Sequence, residues 1–316
     1  MADWNAKNHL RDVLGNYMVT LGKKDPRVTV VNADLMGTCR NRSFVEAFPE
    51  RSFNVGIAEQ NLISFASGLA HEGMKPYAFS MAQFIAMRAC EQVRTDVAYG
   101  NLDVKLITTY AGVSGGISGA THWSIEDIGI LTAMPNMVVM EPCDPIQAEK
   151  MLVATLADSR PTYIRSTIEP VPSIYGEDCP FEIGRANLVM DGRDGAFICS
   201  GITVKYAAEA ARQIADVCGK HIRVVDMHTI KPLDTQAVLD AAETGAIVVA
   251  QDHNVIGGLG YHVAAVLAQA GICVKFRNLG VPDEFAPMAH APYLYHRYGY
   301  DAEGLFHTMM GLIGKE

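Results

Sequence analysis

One acid in this chain stands where a carboxylate is hard to solvate. Glu59 lies within Phe53-Asn54-Val55-Gly56-Ile57-Ala58-Glu59-Gln60-Asn61, where a short apolar approach ends at Gly56 and a long apolar run, Leu62 to Ala70, follows. The pattern reads as a strand end turning into a buried helix, with the carboxylate at the junction. Flanked by Ile57, Ala58, Leu62 and Ile63, the group is expected to be desolvated, which favours its protonated form and suits proton transfer near neutrality. A second use fits the same position: an acid that opens a helix and favours the positive end of its dipole.

A second stretch with chemical content begins at Gly112-Val113-Ser114-Gly115-Gly116-Ile117-Ser118-Gly119, with His122 and Trp123 just after it. Backbone N–H groups of such a loop can cradle a phosphate. A plain flexible turn fits as well, because the loop has neither a Gly-Lys-Ser/Thr ending nor the position of a dinucleotide fingerprint. His122 is suited to proton transfer or to binding a substrate hydroxyl, and equally to a capping role. The remaining nine histidines show no metal-ligand spacing, so no metal site built by the protein is expected. Gly257-Gly258-Leu259-Gly260 reads as a tight turn before a helix. Arg11 and Arg165 are single basic residues near predicted element ends.

The elements that would position these residues alternate. A helix is expected over residues 8–21, a strand over 28–31, helix 61–71, strand 75–79, helix 82–98, strand 104–110, strand 136–140, helix 146–157 and strand 161–165. Strand–helix alternation implies a parallel sheet covered by helices. Residues 166–193 lose the periodicity and carry Pro170, Pro172 and Pro180, as an interdomain connection would. Alternation restarts with strand 196–200, helix 206–217, strand 222–226, helix 235–244, strand 246–251, helix 260–270, strand 273–276 and a closing helix over 302–313. The expected fold class is therefore α/β, with two domains, each a mostly parallel sheet covered by helices: residues 1–168, a linker at 169–193, and residues 194–316. In parallel sheets ligands bind beyond the carboxyl ends of strands. Asp34, Thr38, Glu59, Tyr110 with its Gly-rich loop, and Arg165 all fall at such ends.

The chain has 316 residues, 49% hydrophobic and 19% charged, with a net charge of −9. This is ample for two cores and lacks the basic face expected of a nucleic-acid binder. Seven cysteines without a CxxC pair suit small buried residues in a reducing compartment. Residues 1–10 are polar and no window reaches the ~18 apolar residues of a membrane span. The expectation is a soluble, cytoplasmic protein with no nucleic-acid or membrane partner.

At Gly56-Ile57-Ala58-Glu59-Gln60-Asn61, together with Ala120-Thr121-His122, the chain resembles thiamine-diphosphate enzymes of the transketolase family. Asn32-Ala33-Asp34-Leu35, Phe84 through Arg94, Met134-Pro135-Asn136-Met137 and Thr229-Ile230-Lys231-Pro232-Leu233-Asp234 extend the resemblance over essentially the whole chain, as the family's pyrimidine-binding domain followed by its C-terminal domain. The Gly-Asp-Gly…Asn-Asn motif that holds the diphosphate and its divalent metal (Mg or Ca) in the family has no counterpart here. The resemblance therefore implies the C-terminal subunit of a split transketolase. A separate N-terminal subunit would complete the site, in a two-plus-two heterotetramer, and this polypeptide alone would not be catalytic.

The resemblance also implies roles. Glu59 would hydrogen-bond the aminopyrimidine nitrogen of thiamine diphosphate and promote the tautomer that deprotonates the thiazolium carbon. Phe84 would stack on the pyrimidine, with Asp34 and Arg88 also on the cofactor side. His122 would contact the substrate oxygen near the reacting carbon. Arg11, Thr38 and Arg165 resemble positions that grip a sugar phosphate, a task suited to the planar guanidinium fork. Tyr110 stands where the family usually has His, and Ser118 where it has an Asp that reads a sugar hydroxyl. These departures imply a donor other than the usual xylulose 5-phosphate. The implied reaction is transfer of a two-carbon ketol unit from a ketose phosphate, or similarly anionic sugar, to an aldose. Alternatives are a 2-oxo-acid dehydrogenase beta subunit, a fragment related to deoxyxylulose-phosphate synthases, a nucleotide-binding dehydrogenase and a non-catalytic regulatory subunit.

Overall fold

The computed structural model describes residues 2–314. Its strands in chain order are β1 (Asp3–Asn8), β2 (Val28–Asn32), β3 (Ser52–Asn54), β4 (Lys75–Met81), β5 (Lys105–Thr109), β6 (Val138–Met140) and β7 (Thr162–Arg165). They continue with β8 (Val171–Ser173), β9 (Asn187–Met190), β10 (Ala196–Cys199), β11 (Arg223–Asp226), β12 (Thr229–Lys231), β13 (Ala246–Asn254) and β14 (Lys275–Val281).

Two helix-covered sheets organise the chain. The first has the order β12-β6-β7-β5-β4-β2-β3 and is parallel except where β12 meets β6. The second has the order β14-β13-β10-β11-β9, with only β9 antiparallel. The α/β class read from alternation is the class observed. Its central strands β2, β4, β5, β7 and β10 are buried at every residue, as expected for sheets covered on both faces.

Departures from the sequence expectation have local causes. The helix expected over 8–21 is two helices, Leu10–Asn16 and Met18–Lys24, preceded by β1, which pairs antiparallel with β8. The segment expected to be a connection, 169–193, contains β8 and β9, and β9 joins the second sheet beside β11. Short edge strands of this kind carry little periodicity, and their pairing is settled by neighbours distant in sequence. The helix expected over 82–98 is mostly wider π-helical turns, Phe84–Arg88 and Val93–Ala98. The helix Ala291–Arg297 was not anticipated, whereas the closing helix Ala302–Ile313 has the expected bounds.

The two units are tied together closely. From β11 the chain crosses at Met227, whose N–H donates to Cys199 O at 2.8 Å, to His228, whose carbonyl accepts from Glu141 N at 2.9 Å. It then runs as β12 along the edge of the first sheet. All seven cysteines are free. Among the described residues no helix is long and apolar enough to cross a membrane, and no group of three or more His, Cys, Asp or Glu side chains is disposed to hold a metal ion.

Candidate active site

The helix Glu59–His71 explains why an acid is buried. Its buried residues are Glu59, Leu62, Ile63, Ala66 and Ser67, one helical face at the 3.6-residue period. The apolar members dock this face on the sheet, and Glu59, as the first residue of the same face, goes in with them. It is 1% exposed. Its Oε2 accepts from Arg88 Nη1 at 2.6 Å and its Oε1 from Ser80 Oγ at 3.3 Å. The acid is thus half of an ion pair whose other member is 47% exposed, not the isolated carboxyl that its flanking sequence suggests.

Arg88 is delivered by the π-helical turn Phe84–Arg88 that follows β4. A turn wider than an α-helix shifts the register of successive side chains and is frequent at functional sites. Here the Arg88 guanidinium carbon lies 4.2 Å from the Phe84 ring centroid. Beyond Phe84, the His122 ring packs at 5.8 Å between centroids in an edge-on arrangement, and its Nδ1 lies 2.9 Å from Thr121 Oγ1. Glu59, Arg88, Phe84 and His122 therefore form one continuous chain of contacts, drawn from the segments after β3, β4 and β5.

Asp34 and Tyr110 sit just past β2 and β5, on the same carboxyl edge, and both have positive φ, 60° and 63°. This left-handed conformation is uncommon for a non-glycine residue, and for a bulky one it costs of order ~1 kcal/mol or more. Asp34 is held by reciprocal 3.0 Å bonds with Asn54, donating from its backbone N–H and accepting at Oδ1. Tyr110 packs against the backbone of Gly115, where a Cβ would come within 2.9 Å of its ring and 3.0 Å of Trp123. Ser118 is exposed at the end of a short 3-10 turn, Gly116–Ser118.

Arg11, half-buried, faces a narrow crevice lined also by Leu14, Cys39, Phe79, Thr109 and Ser166. Gly15 on the Arg11 helix packs so closely on Cys39 O and Arg40 O that a Cβ there would lie within 2.4 Å of both. Thr38, half-buried and next to Cys39, is thereby held beside this helix.

Arg165 is the correction. It ends β7 as expected, but it is 0% exposed and its guanidinium is spent on the protein. Nε donates to Asp127 Oδ2 at 2.8 Å and Nη1 to Glu141 Oε1 at 2.9 Å; Nη2 reaches Asp252 O at 3.0 Å and Ser124 O at 3.3 Å. Burial works against its charge, and the carboxylates of Asp127 and Glu141 outweigh it, so the pKa is raised. Four of its five N–H donors are taken by the protein and the side chain is fully buried, so the guanidinium is not presented to a substrate anion. The partners come partly from the second unit, which the local sequence around Arg165 cannot announce.

Sequence reasoning also missed Ser80, Glu141 and Asp252. Asp252 is buried, and burial pushes its carboxyl up to about 7. Next to it, burial pulls the His253 imidazole down to about 4. The available signal was Gln251-Asp252-His253-Asn254, four polar residues ending an otherwise apolar strand.

This arrangement defines a class: an α/β protein whose first sheet carries an acid, an aromatic ring and a histidine at its carboxyl edge, closed by a second α/β unit. Residues 6–171 match the family model described as transketolase, pyrimidine binding domain, and residues 184–305 the one described as transketolase, C-terminal domain. The chain belongs to the transketolase family. It is 37% identical over 295 residues to the 6-deoxy-6-sulfo-D-fructose transketolase subunit of a Clostridium species, covering 93% of this chain and 91% of that protein. It is 34% identical over 300 residues to one of the subunits of the apulose-4-phosphate transketolase of Phocaeicola vulgatus, covering 94% and 95%. Among solved structures it resembles a split gene transketolase in an inactive beta4 tetramer, with a TM-score of 0.89, 36% identity, and 96% and 98% of the two chains covered.

Proposed function

We propose that this chain is the C-terminal subunit of a two-chain transketolase. With a separate N-terminal subunit it would transfer a two-carbon ketol unit between a ketose phosphate, or a similarly anionic sugar, and an aldose. The observation that carries the reading is the contact chain Glu59–Arg88–Phe84–His122 at the carboxyl edge of the first sheet. The proposed assembly is a two-plus-two heterotetramer in the cytoplasm, with the pyrimidine-binding domain over residues 1–168, the C-terminal domain over 194–316 and residues 169–193 joining them.

A fully buried acid beside a half-buried aromatic ring fits the aminopyrimidine end of thiamine diphosphate: Glu59 would hold the ring nitrogen and Phe84 would stack on the ring. When bound, this cofactor supplies the carbanion chemistry, and the protein supplies orientation and proton control. The diphosphate and its divalent metal, Mg or Ca, would be held by the partner subunit. Glu59 would hydrogen-bond the pyrimidine nitrogen, with Arg88 and Ser80 fixing its two carboxyl oxygens so that the acid cannot turn away. Asp34 would support the cofactor side through the loop it shares with Asn54. His122 would hydrogen-bond the substrate oxygen next to the reacting carbon.

Arg11 and Thr38 would grip the anionic end of the sugar, and Tyr110 and Ser118 would line its upper carbons. Arg165 is not part of this proposal. Relatives named for a sulfo-sugar and for a sugar phosphate support an anionic sugar as the substrate class. The test is Glu59→Gln in the complex reconstituted with an N-terminal subunit, assayed with ketose phosphates and, in parallel, with 2-oxo acids. Turnover of ketose phosphates by wild type and its abolition in a folded Glu59→Gln complex is the expected result. Normal turnover in the variant, or turnover of 2-oxo acids alone, refutes the assignment.

A further inference from the structure

The loop that carries Ser118 and His122 is held by a residue of the other unit. Val113 N–H, in the first turn of the Gly-rich loop, donates to Asp252 Oδ1 at 2.9 Å, and Tyr300 O–H donates to the same oxygen at 3.0 Å. Asp252 belongs to β13 of the second sheet. The fit leaves no slack, because a Cβ on Gly112 would lie 2.1–2.3 Å from the Asp252 carboxyl, and Gly112 has φ of 62°. Only glycine allows this approach. Around the contact, Ser124 and Gly112 exchange two backbone bonds, of 2.8 and 3.2 Å, which close the base of the loop. Farther out, Gly116 rests on the backbone of Ala289, His290 and Ala291, and Gly119 lies against Met288. The segment from Val113 to His122 is thus clasped at its base by the Asp252 carboxyl and along its length by residues 288–291. His122, whose N–H donates to Gly119 O at 2.9 Å, takes its place from that clasp.

We infer that Asp252 is a positioning residue: through Val113 N–H it fixes the Gly112–His122 loop, and so places His122 and Ser118 for the transfer reaction. The inference rests on the proposed function for its catalytic consequence. Its mechanical content does not. The carboxyl suits this work, since one of its oxygens takes both donors. It also couples the second unit, which contributes none of the other proposed site residues, to the site.

The experiment compares Asp252→Ala, Asp252→Asn and Tyr300→Phe with wild type, first by amide hydrogen exchange on the full chain, then by turnover in the reconstituted complex. Asn keeps a carbonyl oxygen for Val113; Ala keeps none. Losing this buried hydrogen bond is expected to speed exchange of the 113–122 amides by about 10-fold in Asp252→Ala, with β4, β5 and β10 unchanged. Asn should restore most of the protection. Tyr300→Phe, which leaves the Val113 donor and its carboxyl acceptor intact, should leave these amides near wild type. In the complex, kcat should fall by a similar factor in the Ala variant, with KM for the ketose phosphate changed less and with rescue by Asn. Unchanged exchange over 113–122, faster exchange spread through both sheets, or a loosened loop with kcat untouched would each overturn the inference. If the Ala variant does not fold, Asn and Tyr300→Phe decide: loop exchange sped up in the Tyr300→Phe chain as much as the lost bond requires would place the hold on Tyr300. If wild type transfers no ketol unit, the functional reading fails while the exchange data still judge the clasp.

Discussion

Replacing Arg165 by Met removes a charge, and part of the side-chain volume, from the buried junction between the two units. In wild type the guanidinium pairs with both Asp127 and Glu141 and donates to the carbonyls of Ser124 and Asp252. Asp127 and Glu141 keep other donors, Tyr163 O–H at 2.7 Å for the first and Ser200 O–H at 2.6 Å for the second. Those donors are neutral and cannot balance two buried negative charges. Breaking a buried pair by removing one partner costs about 3–5 kcal/mol. At about 2–4 °C of melting temperature per kcal/mol for chains of comparable size, a loss of about 4 kcal/mol lowers Tm by roughly 8–16 °C. The assay is thermal and urea unfolding of the whole chain, without substrate, cofactor or partner. A triple variant, Arg165→Met with Asp127→Asn and Glu141→Gln, removes the charges together and should recover most of the loss, since a buried ion pair is often no more stable than a neutral replacement. An Arg165 that gripped a substrate phosphate would behave otherwise: Arg165→Met would unfold within about 1 kcal/mol of wild type and raise KM. That result would refute the argument, and a failure of the triple variant to recover would assign the loss to packing.

Two further outcomes are expected. Burial raises the carboxyls of Asp226, to about 6, and Asp252, to about 7. For an acid raised in the folded state, the stability it contributes is present below its unfolded value near 4 and is lost as pH climbs through the folded value. His228 and His253, lowered to about 4 by burial, act in the opposite sense below pH 6.5, so the wild-type curve alone is a sum. The difference between Asp252→Asn and wild type isolates one group and should grow in the variant's favour by up to about 4 kcal/mol between pH 4 and pH 8; parallel curves would show that Asp252 does not titrate in this range. Separately, Ser118→Asp adds a charge and a hydrogen-bond acceptor at an exposed loop position, and should change the kcat/KM ratio between ketose phosphates of different hydroxyl configuration by about 10²-fold. An unchanged ratio would remove Ser118 from the substrate site.

Much of the architecture was legible because it is written locally. Residues 28–31 and 104–110 are stretches of strand length rich in Val, Ile, Leu and Thr, and in the structure they correspond to β2 and β5, central strands buried at every residue. Glu59 was legible as an acid at a junction, since Leu62, Ile63 and Ala66 commit the same helical face to the core. Its pairing with Arg88 was not, because the two lie on different elements and meet only through a π-helical turn that no apolar period encodes. Arg165 shows the limit most clearly. A cation at a strand's carboxyl end looks like a ligand-binding group until Asp127, Glu141 and Asp252, from three other segments, enclose it. The strands β1, β8, β9 and β12 escaped notice for the same reason: each is defined by the partner it finds.

The position of β12 bears on how this chain acquires its structure. β6 has β7 on one side, and on the other only Thr229–Lys231, which is synthesised after the first strands of the second sheet. Until that segment arrives, the nascent first sheet presents Val138-Val139-Met140 as an open, apolar edge, a template for misplaced pairing. Closure is therefore a late, long-range step, of the kind that slows folding. A fragment ending after Arg165 would keep most of the candidate site residues yet expose that edge permanently, so the first unit is not separable cargo for a fusion or a crystallisation screen. The first unit borrows its last strand from the second, so the two are expected to fold only as one chain.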